Sequence, residues 1–100
     1  MARVALHCRD LLFGSKVEGA LRAAGHEVTR AGEAADIVVV DLTDPDVPWP
    51  DGGGVPRLGF YAHVDQDTRK RAEEAGFDLV VPRSRMNREG AALVERLLGG

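Results

Sequence analysis

Ile37-Val38-Val39-Val40-Asp41 is the stretch that decides the fold. Its β-branched residues are stiff at χ1 and suit a pleated strand. No polar residue interrupts the run, so neither face is left for water. Residues 36–41 therefore read as a central parallel strand covered on both sides. Three other runs share the pattern of apolar strand and reactive end. Val4-Ala5-Leu6 leads into His7-Cys8-Arg9-Asp10, and Leu58-Gly59-Phe60-Tyr61 leads into His63-Val64-Asp65. Leu79-Val80-Val81 leads into Pro82-Arg83-Ser84. If these strands are parallel, Asp10, Asp41, His63 and Arg83 meet at the carboxyl edge of one sheet, where open α/β sheets bind ligands.

The segments between the strands set the connections. Phe13, Val17, Leu21 and Ala24 form one apolar stripe, which predicts a helix over residues 11–24 with Gly25 as its left-handed stop. Two starts are open for it: Asp10 as the cap, or the capping-box pattern Ser15-Lys16-Val17-Glu18 with Ser15 as the cap. Residues 26–30 alternate as an edge strand does. Only Ala31 to Ala35 join that strand to the next, a span that an extended chain of ~3.5 Å per residue just covers. Residues 43–57 hold four of the five prolines and three consecutive glycines, which excludes a helix there. Trp49 is expected to anchor this loop. A strand at 57–62 precedes a helix at 66–75, started by Asp65 or Asp67 and stopped by Gly76. A last strand at 78–82 precedes a helix at 87–98, capped by Asn87, with Leu93, Val94, Leu97 and Leu98 on its core face.

Composition narrows the function classes. One hundred residues suit one domain, spanning 1–100. A net charge of −3 argues against nucleic acid as a partner. No apolar run approaches the ~20 residues of a membrane span. The first residues enter a strand pattern at once, so a cytoplasmic protein is expected. The single cysteine, Cys8, excludes an internal disulfide and a multi-cysteine zinc site. His7, Cys8 and His63 could form a metal trio, yet their spacing does not require one, and no cofactor or metal is expected.

The frame around Asp41 resembles the receiver domains of bacterial two-component systems. In that family the phosphoacceptor aspartate ends the third strand and a proline follows four residues later, as Pro45 follows Asp41 here. Aligning Gly25, Asp41 and Gly76 on the family's landmarks places Arg83 where receivers keep a lysine. The resemblance implies a flavodoxin-like, receiver-like α/β fold. Its open parallel sheet has five strands in the order 2-1-3-4-5, and the second and third helices are shortened or missing. It also shows departures. Cys8 and Arg9 stand where receivers hold Mg²⁺ with two acidic residues, and Asp10 comes one position later. Tyr61 replaces the Ser/Thr that responds to phosphorylation, and Ser84 replaces a proline. The pattern of Asp10, Ser15-Lys16, Gly59-Phe60, His63-Val64-Asp65 and Pro82-Arg83-Ser84 is similar to that of small bacterial receiver-like proteins.

Two functional expectations follow. One is a stand-alone pseudo-receiver, not an enzyme, that signals by binding a protein partner without conventional phosphorylation of Asp41. The last strand and helix would then serve as a docking or homodimer surface. The other is a small enzyme or anion-binding protein, with Arg9 and Arg83 holding a phosphate or carboxylate and Asp41 and His63 moving protons. The functional cluster is Arg9, Asp10, Asp41, His63, Arg83 and Ser84, with Asp41 expected in a salt bridge to Arg83 or Arg9. Cys8 reads as a buried, inert thiol, and Asp65 as a helix cap.

Overall fold

A computed structural model describes residues 2–30, 34–51, 54–62 and 64–99. Five strands, β1 (Arg3–His7), β2 (Glu27–Thr29), β3 (Ile37–Asp41), β4 (Arg57–Tyr61) and β5 (Leu79–Pro82), alternate with three helices, α1 (Leu11–Ala23), α2 (Gln66–Glu74) and α3 (Arg83–Leu97). All strand pairs are parallel and the order is β2-β1-β3-β4-β5. The all-apolar run that suggested a central strand is β3, and every residue of it is buried. Its register sets Val40 beside His7 and Asp41 beside Phe60, and Tyr61 lies beside Pro82, so the strand ends share one edge. Among the described residues no helix is long and apolar enough to cross a membrane.

Side-chain alternation sends the core to both sides of the sheet. On one face Val4, Val39, Phe60 and Val81 pack with Val17 and Leu21 of α1 and with Met86, Leu93 and Val94 of α3. On the other face Ala5, Val38, Val40 and Tyr61 pack with Leu42, Val47, Phe77 and Ala72 of α2. Among the described residues only α2 serves this second face. The connections from β2 to β3 and from β3 to β4 contain no helix among the described residues, matching the loss of two helices read from the sequence.

The proline-rich loop covers the gap and is fastened by specific contacts. Trp49 meets Phe77 edge-on at 5.6 Å between ring centroids. Arg57 donates to the carbonyls of Pro50 at 2.7 Å and Ala75 at 2.6 Å, with its guanidinium 4.5 Å over the Phe77 ring. One arginine thereby ties the loop to the end of α2. Leu42 lies so close to β4 that a Cβ on Gly59 would fall 2.5 Å from its Cδ1 and 3.1 Å from Phe77 Cδ2.

Helix starts show where sequence signals competed. Asp10 caps α1, accepting from the amides of Leu12 at 3.1 Å and Phe13 at 3.0 Å. Ser15 is therefore an exposed residue inside the helix and not its cap. Ala24, expected on the apolar stripe, is the exposed last residue of the turn. Asp65 caps α2, accepting from the Thr68 amide at 3.1 Å. The last helix begins at Arg83, four residues before the expected start. Pro82, extended at φ −64° and ψ 152°, occupies the cap position with no side-chain hydrogen bond, and Asn87 lies exposed within the helix. The fixed φ of proline suits the entry to a helix, and strand passes to helix there without a polar side-chain cap.

These contacts give two glycines opposite roles. Gly59→Ala is expected to cost about 1–3 kcal/mol by overpacking against Leu42. Gly19→Ala, with open space around its Cβ position on α1, should stabilise by roughly 0.5–1 kcal/mol through helix propensity. Urea unfolding of the two variants checks both signs.

Candidate functional site

The carboxyl edge of the sheet is built around a carboxylate that the fold has taken out of water. Asp41 ends β3 and is 2% exposed. It follows the parity of Ile37 and Val39, so its side chain turns toward the face carrying α1 and α3. Oδ1 accepts from the Thr43 amide at 3.0 Å and from the Thr43 hydroxyl at 2.6 Å. Oδ2 is faced by the Cys8 thiol at 3.8 Å, a weak donor. The Asp10 carbonyl, at 3.7 Å, is an alternative acceptor for the one thiol hydrogen. Burial, before any other cause, pushes the Cys8 thiol up, and the Asp41 and Asp10 carboxylates add to the rise. The thiol is thus protonated at neutral pH, with a hydrogen to offer Asp41.

The expected salt bridge from Asp41 to Arg83 or Arg9 is not formed, because each arginine has found another acid. Arg83 pairs with Asp10 Oδ2 at 2.9 Å and lies 4.3 Å over the Phe13 ring. Phe13 in turn packs on Phe60, with 5.0 Å between centroids. Arg9 leaves the end of β1 into an exposed loop and pairs with Asp46 at 2.9 Å and Asp44 at 4.0 Å. Asp41 instead takes a partner two residues along the chain, the Asx-turn preference of a short polar side chain. The spacing Asp41-Leu42-Thr43 carried that signal, and the sequence reading passed over it. It also passed over Phe13, which is more than a stripe residue because it supports the Arg83 guanidinium.

Asp10 does two jobs with one carboxylate. Oδ1 caps α1, and Oδ2 holds Arg83 from the first turn of α3, so the starts of both helices are pinned together. The Phe13 amide, then the Arg83 guanidinium, hold its carboxyl below the ordinary value of 3.8. Asp65 is depressed for a related reason, the hydroxyl and amide of Thr68 both donating to it. Ser84 is exposed in the first turn of α3, where its carbonyl accepts from Arg88 at 3.4 Å. Tyr61 is 3% exposed in the core of the other face. His63 lies outside the described residues. Of the expected cluster, the structure brings Asp10, Asp41 and Arg83 around Cys8 and leaves Arg9 with the loop acids.

The donor set does not suit Mg²⁺, which takes oxygen ligands in near-octahedral geometry. Asp41 Oδ1 and both oxygens of Asp10 are engaged, and the remaining neighbour is a soft sulfur. Among the described residues no three His, Cys, Asp or Glu side chains converge as a metal cluster would.

No protein-family model matches the sequence, and no curated protein does either. Solved structures match in fold. The non-phosphorylated HemR receiver domain from Leptospira biflexa aligns with TM-score 0.76 and 22% identity, over 98% of this chain and 94% of that one. The receiver domain of the Francisella response regulator 1452 aligns with TM-score 0.82 and 14% identity, over 99% and 98%. NtrX from Brucella abortus, in complex with ADP, aligns with TM-score 0.83 and 17% identity, over 98% of this chain and 27% of that one. The chain thus matches nearly the whole of two isolated receiver domains and about a quarter of NtrX. With its parallel sheet in the order β2-β1-β3-β4-β5, it has the fold of the response-regulator receiver domains.

Proposed function

We propose that this chain is a single receiver-like signalling domain that acts by contacting a protein partner and is not switched by metal-dependent phosphorylation of Asp41. The observation that carries this reading is the state of the Asp41 carboxylate: 2% exposed, bonded twice by Thr43 and faced by a thiol. Phosphoryl transfer to a carboxylate needs an accessible oxygen and a cation to neutralise charge developing on the phosphoryl group. Cys8 stands where the family's acidic pair would supply the metal ligands, and Arg83 is held by Asp10. Tyr61, where the family's responding hydroxyl would be, has its side chain in the core. The receiver fold supports a role in signalling, and the surface of β5 and α3 offers a place for a partner or a second copy.

The reading as an enzyme or anion clamp on Arg9, Arg83, Asp41 and His63 finds less support. Both guanidiniums already carry carboxylates, and Asp41 faces neither.

Incubation with Mg²⁺ and acetyl phosphate is expected to leave the intact mass of the protein unchanged. A gain of one phosphoryl group that disappears in Asp41→Asn would overturn the proposal. Stability of the Asp41 variants reports the same environment. Asp41→Ala orphans the Thr43 amide and hydroxyl and should cost about 1–3 kcal/mol. Asp41→Asn keeps an acceptor for Thr43, removes a buried charge and should unfold at the same or a higher denaturant concentration. A third measurement isolates the Asp10–Arg83 pair, since Asn caps a helix about as well as Asp. The folded-state pKa of Asp10 is depressed, so its contribution is present above the ordinary value of 3.8 and fades as pH falls below it. The fall in Tm caused by Asp10→Asn should therefore be clear at pH 7 and shrink toward pH 2.

A further inference from the structure

β2 stops at Thr29, opposite Ala5, while β1 runs on through His7. Beyond that point a cavity of about 600 Å³ opens, lined by Leu6 and His7 and by residues 46–48 of the proline-rich loop. It lies at the carboxyl ends of the strands, where open parallel sheets take ligands, and its size is that of a small-molecule site. Neither Asp41 nor Arg83 lines it. Leu6, Val28, Val47 and Pro48 give it apolar walls.

Arg9, Arg22 and Arg30 line this cavity with Asp10, Glu18 and Asp46, equal in number, but the acids are not shared evenly among these cations. Each lining carboxylate already holds a guanidinium: Asp10 that of Arg83, Glu18 that of Arg22 and Asp46 that of Arg9, all at 2.9 Å. Arg9 and Arg22 are accounted for by the same pairs. Arg30 remains, with no ion-pair partner among the described residues. His7 is also among the lining residues, and its Nδ1 is buried without a hydrogen-bond partner. Burial lowers its pKa, so the ring is neutral at pH 7 and adds no charge to the cavity.

We propose that this cavity binds a small organic anion, its apolar body against Leu6, Val28, Val47 and Pro48 and its single anionic head group, a carboxylate or phosphate ester, on Arg30. The two cations that the sequence offered for an anion, Arg9 and Arg83, are engaged by acids, and the vacancy falls at a third. The site is independent of whether Asp41 can be phosphorylated.

Titration of the ¹⁵N-labelled chain with benzoate, phenyl phosphate and benzyl alcohol tests this. At least one of the two acids should shift the amide resonances of His7, Thr29 and Arg30 saturably, and the tighter acid identifies the head group. Benzyl alcohol should bind at least about tenfold more weakly, the difference expected for a charge-assisted hydrogen bond. Arg30 is exposed, so Arg30→Gln should fold normally and lose the preference for acid over alcohol. Absence of saturable shifts with both acids would refute the site. So would equal binding of the alcohol, or an undiminished preference in Arg30→Gln.

Discussion

A strand that is buried along its whole length must be covered on both faces, and this chain meets that demand for β3 with three helices. Two of them, α1 and α3, lie together on one side, where Phe60, Leu21 and Val94 fill the space as an ordinary helix-on-sheet layer does. The other side, among the described residues, has α2 alone. The rest of its cover is irregular chain, held because Pro45, Pro48 and Pro50 limit the conformations it can lose on folding. Trp49 supplies apolar area there, and the Arg57 guanidinium donates to two carbonyls that would otherwise be left unpaired. The close approach of Leu42 to Gly59 belongs to the same solution, since a loop can settle nearer to a sheet than a helix can.

That economy of helices shapes the charged edge as well. Acids and bases there are arranged by reach. Asp41 is sealed beneath the edge and takes the nearest donor in sequence, whereas Asp10 and Arg83 stand at the openings of adjacent helices and meet across Phe13. Arg9 follows the loop that replaces a helix and pairs with its acids. Thr43 satisfies one oxygen of Asp41 twice over, and a nearby partner orders fewer freely moving groups than a long-range ion pair would. The result is a strand-end aspartate whose hydrogen bonds are local in sequence.

Much of the architecture was legible because apolar patterning reports burial directly. Val38 to Val40 could not face water, the glycines at 25 and 76 marked helix ends in left-handed conformation, and prolines at 45 to 56 excluded a helix. The start of α3 was not legible, since Asn87 has the chemistry of a cap while the true cap is a proline that offers none. Partner choice at the edge was harder still. Sequence places Asp10, Asp41, Arg9 and Arg83 within the same neighbourhood, but a difference of a few ångströms and a change of face decides which of them touch. Phe13 shows the same limit, since nothing in a helical stripe says that one ring will also carry a guanidinium.

The pairing of Asp10 with Arg83 joins residues 73 positions apart, and the helices they begin pack side by side. α1 packs on the sheet but has no helical neighbour on that face until α3 has been made. During synthesis, the part of that face covered by Met86, Leu93 and Val94 would stay open while β3, β4, α2 and β5 emerge, and the sheet could not close its helical face by accretion from one end. Folding of this kind is late and all-or-none, governed by contacts distant in sequence. A chain cut short within α3 would lose the cover of its oldest strands along with its newest helix.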